Sequence, residues 1–352
     1  LNPFAGDLYL WYGSIEPHRA YEFGSSLANG KEISEIDKVP AYWPDNDSVR
    51  TDMLDYAFEL EYFDMHLQKM LKLLEEKGEL ENTLVIVTAD NGMPFPRVKA
   101  NNYEQSNHLP LAIMWPQGIS NPGRIVTDFV SFIDFAPTFL ELADIQPEEN
   151  SMAPITGKSM TDIFFSEKEG RINPDRNYVL IGKERHDIGR PNDAGYPVRG
   201  IVTDKYLYIH NFEPDRWPAG NPETGYLATD GGATKSVILN QRRSGKNEHF
   251  WQMNFGKRPP DELYLIAEDE NCTRNLAFDM DHKNEIEQLK QQLFAQLKEE
   301  KDPRMSGKGH IFDEYAYADD NGINFYERYM KGDTTLRWGW VNDSDFEKHP
   351  LD

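Results

Sequence analysis

Leu84-Val85-Ile86-Val87 is an unbroken apolar, largely β-branched run, and it is closed by Asp90-Asn91-Gly92. Such a run reads as a strand with both faces covered in a parallel sheet. Asp7-Leu-Tyr-Leu-Trp-Tyr-Gly13 has the same texture and predicts an earlier core strand. Between the two, Val49, Met53, Tyr56, Leu60, Phe63, Leu67, Met70 and Leu74 recur at spacings of four and three. That period predicts one long amphipathic helix, capped by Asp47 or Ser48 and stopped at Gly78. Strand, helix and strand make a crossover unit, so the two strands are expected to run parallel. Residues 111–115 predict a third strand, ended by Pro116, and residues 125–132 a fourth. A helix follows over residues 134–143, with Asp134 placed to cap it.

Beyond residue 150 the pattern breaks into short segments separated by Gly, Pro, Asn and Asp. Residues 178–181, 198–203 and 206–210 predict strands, the last two joined by the turn Asp204-Lys205. Residues 262–266 predict another. Ile286, Leu289, Leu293 and Leu297 mark an amphipathic helix over 284–300. The fold class expected is α/β: a mainly parallel sheet flanked by helices over residues 1–150, then a smaller α+β domain with an antiparallel sheet over 151–302. Residues 303–352 are aromatic and acidic with little periodicity, which predicts a tail lying on the body.

Composition narrows the partners. The chain has 352 residues and a formal net charge of −23, which argues against nucleic acid as a general partner. No apolar run approaches the about 20 residues that span a bilayer. The one cysteine, Cys272, excludes an intrachain disulfide.

Chemistry concentrates after strand ends, where ligand crevices of open α/β sheets lie. Asp90 and Asn91 offer hard oxygen atoms suited to a divalent cation, and the loop that follows delivers Arg97 and Lys99. With parallel strands, His18, in Glu16-Pro17-His18-Arg19, comes off the same edge, whereas His108, preceding a strand, sits at the opposite end and reads as structural. In the second domain, Arg185, His186 and Arg190 lie in the charged run that follows a strand, flanked by Gly182 and Gly189. Clustered Arg and His with acid suit recognition of a sugar's hydroxyls and anionic groups. Arg199 and Trp217 are weaker candidates of the same kind.

The strand followed by Asp90-Asn91-Gly92 and the loop to Lys99 together resemble the type I sulfatase family. So do Glu16-Pro-His-Arg19, Asp134-x-x-Pro-Thr, and Glu262-Leu-Tyr-Leu with Asn275-Leu-Ala277 further on. Asp90-Asn-Gly-Met-Pro-Phe-Pro96 is particularly similar to the branch containing heparan N-sulfatase and its bacterial relatives. The resemblance implies an alkaline-phosphatase-like core, one calcium ion (sometimes magnesium), and a formylglycine nucleophile made in a Cys/Ser-x-Pro-x-Arg motif. It implies that Asp90 and Asn91 are metal ligands, that Lys99 contacts the sulfate and its bridging oxygen, and that His18 contacts sulfate and protonates the leaving group. It implies a sulfated carbohydrate substrate, best guessed as a glycosaminoglycan, and a periplasmic or secreted location. The family's nucleophile motif and its first metal-binding aspartates would precede residue 7, and residues 1–6 do not supply them. Cys272-Thr-Arg-Asn lacks the proline and reads as an ordinary thiol. The formylglycine segment is therefore expected upstream, and these 352 residues alone are expected to be inactive. Two alternatives stand beside this reading. A phosphatase or phosphodiesterase of the same superfamily would use two zinc ions with added His ligands. A non-catalytic protein would bind sulfated carbohydrate without turnover.

Overall fold

The computed structural model describes residues 9–145 and 152–351. The periodic helix is α1 (Asp47–Lys77), one residue longer at its start than expected. Its cap is Asn46, whose side chain accepts from the Val49 amide, and it stops at Gly78 in the left-handed region (φ 73). Of the apolar stripe Val49 is buried and Met53 and Tyr56 are half-buried, while Leu60 is exposed. The first turns also bury Asp52 and Asp55. Each carboxylate is satisfied: Asp55 accepts from the amides of Gly24 (2.7 Å) and Ser26 (2.9 Å), and Asp52 from Arg19 (2.6 Å) and Thr234.

β1 (Val85–Thr88) and β2 (Leu111–Met114) form a two-stranded sheet. They are antiparallel, with Val85 opposite Met114 and Thr88 opposite Leu111. This corrects two expectations. Residues 9–13 form no strand and leave Tyr9, Leu10, Trp11 and Tyr12 exposed, while residues 7–8 lie outside the described residues. The hydrogen-bonded neighbour of β1 is therefore the strand that follows it, and among the described residues no parallel crossover joins it to the N-terminal segment. The fourth expected strand is also missing. Residues 125–129 are held to residues 170–176 by one parallel bridge (Val126 with Gly170) and by Asp128, which accepts from the amides of Ile172 and Asn173, both at 2.7 Å.

α2 (Phe135–Leu142) begins as expected at Asp134. Asp134 is buried, accepts from the amides of Ser131 and Lys158, and pairs with Arg176 at 3.0 Å. Three partners at a helix start leave it a structural residue.

The second half carries β3 (Tyr178–Lys183), β4 (Val198–Thr203), β5 (Tyr206–Asn211) and β6 (Asp261–Leu265), antiparallel and in chain order. Between β5 and β6 run α3 (Ala233–Arg243) and α4 (Glu248–Phe255). α5 (Lys283–Glu299) covers one face of the sheet through Leu289, Leu293 and Leu297. These strands and α5 follow the sequence pattern to within one or two residues.

The two halves share a core. Trp43, Val49, Phe95 and Val98 pack with Trp217, Tyr226, Ile238, Leu239 and Phe255. The tail packs as well: Phe325 and Leu336 are buried with Ile188 and Leu227.

Candidate active site

The loop after β1 is built around Gly92. A side chain there would meet the Gln105 carbonyl oxygen at 2.3 Å and Val98 at 2.6 Å, so only glycine fits. Phe95 and Val98 are fully buried and anchor the loop, and the Trp43 indole donates to the Pro96 carbonyl at 3.0 Å. Arg97 and Ala100 adopt positive φ (68 and 62), which turns Lys99 out of the loop. Lys99 Nζ reaches Asp230 at 2.9 and 3.2 Å, and both side chains are largely covered (13% and 6% exposed).

Asp90 is exposed, and among the described residues no donor reaches its carboxylate. Asn91 is half-buried and donates through its side-chain amide to the Gly92 carbonyl at 2.9 Å. The donor set fits calcium in kind, being two hard oxygens at a strand end. It is short in number, since calcium takes about 6–8 oxygens. Among the described residues no group of three or more His, Cys, Asp or Glu could hold a metal.

His18 is exposed, and its Nδ1 lies 3.1 Å from the Arg19 carbonyl. Nothing among the described residues ties it to Lys99. Its neighbour Arg19 does reach the loop, donating from Nε and a terminal nitrogen to the Pro94 carbonyl at 3.3 Å while pairing with Asp52. The antiparallel pairing changes the place of His108. Because it precedes β2, it lies at the same end of the sheet as Asp90. There it is exposed and pairs with Glu104 at 2.6 Å, which raises its pKa.

The four expected arginine contacts are placed differently from the lysine. Arg97 is buried and donates to the carbonyls of Met253 and Cys272, with its guanidinium 3.9 Å from the Tyr103 ring centre. Arg190 is buried and donates to the Trp217 (2.7 Å) and Pro218 (2.8 Å) carbonyls. Arg199 bridges Asp302 (2.7 Å) and Glu184. Arg185 donates to the carbonyls of Asp193 and Tyr315. All four guanidinium groups hold backbone or carboxylate oxygens of the protein, so none presents its full fork to a ligand. Trp217 is buried in the shared core.

His186 is the member of that run whose charge is influenced by Lys99. It keeps an exposed face, yet its pKa falls to about 4, first through desolvation and then through the charges of Lys183 and Lys99, with Asp230 opposing. At neutral pH it is a neutral hydrogen-bonding group. Asp187 beside it is raised to about 6, first by desolvation, against hydrogen bonds from the Ile188 amide and the Tyr317 hydroxyl (3.0 Å). An acid whose folded pKa lies above its unfolded value adds stability that is fully present below the unfolded pKa and is lost as pH rises through the folded one. Asp187→Asn removes that dependence. Urea unfolding at several pH values is expected to show the wild type gaining stability over the variant between pH 7 and 4. Parallel curves would contradict the assignment.

Sequence reasoning missed Asp230, which partners Lys99. The available signal was Thr229-Asp230-Gly231-Gly232, an acid followed by two glycines, each tightly packed: a side chain on Gly232 would meet Arg19 at 2.5 Å. Cys272 is fully buried and its thiol is pushed up to about 12, chiefly by burial, so it is no nucleophile.

A profile of the Sulfatase family matches residues 2–145, and one described as N-sulphoglucosamine sulphohydrolase, C-terminal, matches residues 98–219. An ulvan-active sulfatase of Formosa agariphila is 27% identical over 290 residues, covering 77% of this chain and 44% of the relative. Human N-sulphoglucosamine sulphohydrolase is 25% identical over 283 residues, covering 78% and 53%. The chain spans about half the length of the curated relatives it matches. A solved structure from Bacteroides thetaiotaomicron, described under the metabolism of multiple glycosaminoglycans, superposes with a TM-score of 0.56 at 18% identity, covering 83% of this chain and 54% of that one. That likeness shows the fold, the alkaline-phosphatase-like α/β architecture.

Proposed function

The chain belongs to the sulfatase family, and from that premise we propose that it forms one wall of a site that hydrolyses sulfate esters or N-sulfates of a sulfated carbohydrate. The observation that carries the reading is the pairing of Lys99 with Asp230 at 2.9 Å, both largely covered, at the end of the loop that leaves β1 through Asp90-Asn91-Gly92.

Sulfate transfer places negative charge on the leaving oxygen. A fixed ammonium in a partly dry recess stabilises that charge, a contribution often worth ~3 kcal/mol per donor. Asp90 and Asn91 would hold calcium, or magnesium, and the bound ion would draw charge from the sulfate oxygens and orient the group. Neutral His186 suits a sugar hydroxyl or amide better than an anion. His18, exposed on the segment that Arg19 pins to the same loop, is the proposed proton donor to the leaving oxygen. Arg97, Arg185, Arg190 and Arg199 are assigned to holding the walls rather than to the ligand. The nucleophile is proposed to be a formylglycine supplied from outside these 352 residues; Ser120-Asn-Pro-Gly-Arg124 has the Cys/Ser-x-Pro-x-Arg spacing, but it follows β2, and its Arg124 is spent on the carbonyls of Ser120, Ile163 and Ser166. These residues alone are then inactive. The substrate class best supported is a glycosaminoglycan, since curated relatives are named N-sulphoglucosamine sulphohydrolase and N-acetylglucosamine-6-O-sulfatase. A periplasmic or secreted setting follows the same resemblance. No described helix is long and apolar enough to cross a membrane.

The metal assignment is tested by elemental analysis and titration of the active protein. One calcium per chain is expected, with Asp90→Ala weakening binding by at least about tenfold. Two zinc ions per chain with phosphate-ester turnover would contradict the reading.

A further inference from the structure

The loop of residues 222–234, which carries Asp230, is gripped from two sides. On one side lies the C-terminal segment of residues 336–347. The Gly231 amide donates to the Trp340 carbonyl at 2.6 Å, and the Trp340 indole donates back to the Leu227 carbonyl at 2.8 Å. A side chain on Gly231 would meet the Asn342 amide at 2.9 Å, so the segment lies directly on this backbone. Asp345, fully buried, pairs at 3.2 Å with Lys235, also fully buried, at the start of α3 just beyond the loop. Lys235 in turn donates to the carbonyls of Gly225 and Thr229, both within the loop. On the other side, Asp52 of α1 accepts from the Thr234 amide (2.9 Å) and hydroxyl (2.7 Å) and from Arg19, whose guanidinium packs against Gly232.

We propose that Asp230 is the positioning residue of Lys99 and that residues 336–347 act as a strap that keeps Asp230 in place, which makes the C-terminal tail a working part of the site. This rests on the sulfatase reading for the role of Lys99, but the mechanical part stands on the contacts alone. A lysine has four rotatable side-chain bonds, and a point charge corrects a developing oxyanion only when fixed. A carboxylate 6% exposed and 2.9 Å away supplies the fixing. Its own placement depends on a glycine pair that admits the strap on one side and Arg19 on the other.

The test compares wild type, Asp230→Asn and Gly231→Ala in the active protein. Gly231→Ala pushes on the strap without altering either charge. Two quantities are read: the rate at which an amine-acylating reagent labels Lys99, followed by mass spectrometry, and kcat and KM for sulfate release. Expected are several-fold faster Lys99 labelling in both variants with other lysines unchanged, and a fall in kcat approaching about 10²-fold with KM little altered. Unchanged Lys99 labelling overturns the proposal. Faster labelling of lysines throughout the chain, with a lowered unfolding midpoint, overturns it in favour of general loosening. A wild type that releases no sulfate contradicts the functional reading alone, because the labelling comparison needs no turnover.

Discussion

Replacing Lys99 with methionine is expected to lower kcat for sulfate release by about 10²- to 10³-fold, the usual consequence of deleting one fixed donor to a developing oxyanion. Methionine keeps much of the side chain's length and removes the charge. The loss should depend on the leaving group. A sugar alkoxide needs charge stabilisation more than an activated phenolate does, so the variant should lose more on a sugar sulfate than on 4-nitrophenyl sulfate. Stability has to be separated from chemistry, because the substitution leaves Asp230 covered and without its cation. Removing one partner of a buried pair costs about 3–5 kcal/mol, and this pair, somewhat less covered, should fall below that range. The double variant Lys99→Met/Asp230→Asn removes both charges. It is expected to regain most of the stability and none of the activity. If the double variant regained turnover, Lys99 would have no role in the chemistry.

Arg97→Met is expected to act on the fold instead. The guanidinium is 3% exposed and donates to two carbonyls, Met253 at the end of α4 and Cys272 beyond β6, while stacking on Tyr103. It thus joins the loop after β1 to the second half of the chain. Glu262, itself buried and bonded to Tyr103 and Tyr264, adds favourable charge. Charge-assisted hydrogen bonds contribute about 1.5–3 kcal/mol each, so losing two should cost on the order of 4 kcal/mol. Denaturant unfolding would show the shift, with KM for substrate nearly unchanged in the folded fraction. A raised KM with unchanged stability would return Arg97 to the substrate.

Much of the second half was legible in the sequence, because its signals are local. β4 lies where the pattern put it, and α5 presents Leu289, Leu293 and Leu297 at helical spacing to one face of the sheet. The first half was less legible. Leu84–Val87 announces a strand but not its neighbour. An apolar run is compatible with parallel or antiparallel pairing, and register with residues 111–114 is a non-local fact. Residues 9–13 show that β propensity alone makes no strand when no partner pairs with it. Among the candidate site residues, Asp90, Asn91 and Lys99 stand out in the sequence because they follow one strand. The glycine pair after Asp230 was a signal for that residue, but its pairing with Lys99 was not legible, since the contact joins residues 131 positions apart. The arginines misled for a related reason. Residue type suggests anion binding, but burial decides whether the fork meets a ligand or the protein's own carbonyls.

The most direct test of the central claim is an ion-chromatographic assay of the products released by the active protein. It would be offered N-sulfoglucosamine, glucosamine 6-sulfate and 4-nitrophenyl phosphate, with calcium and after chelation. The account predicts calcium-dependent release of sulfate from at least one of the two sugars, abolished in Lys99→Met, with phosphate release far slower. Rapid phosphate release supported by zinc, with no sulfate from either sugar, would contradict it.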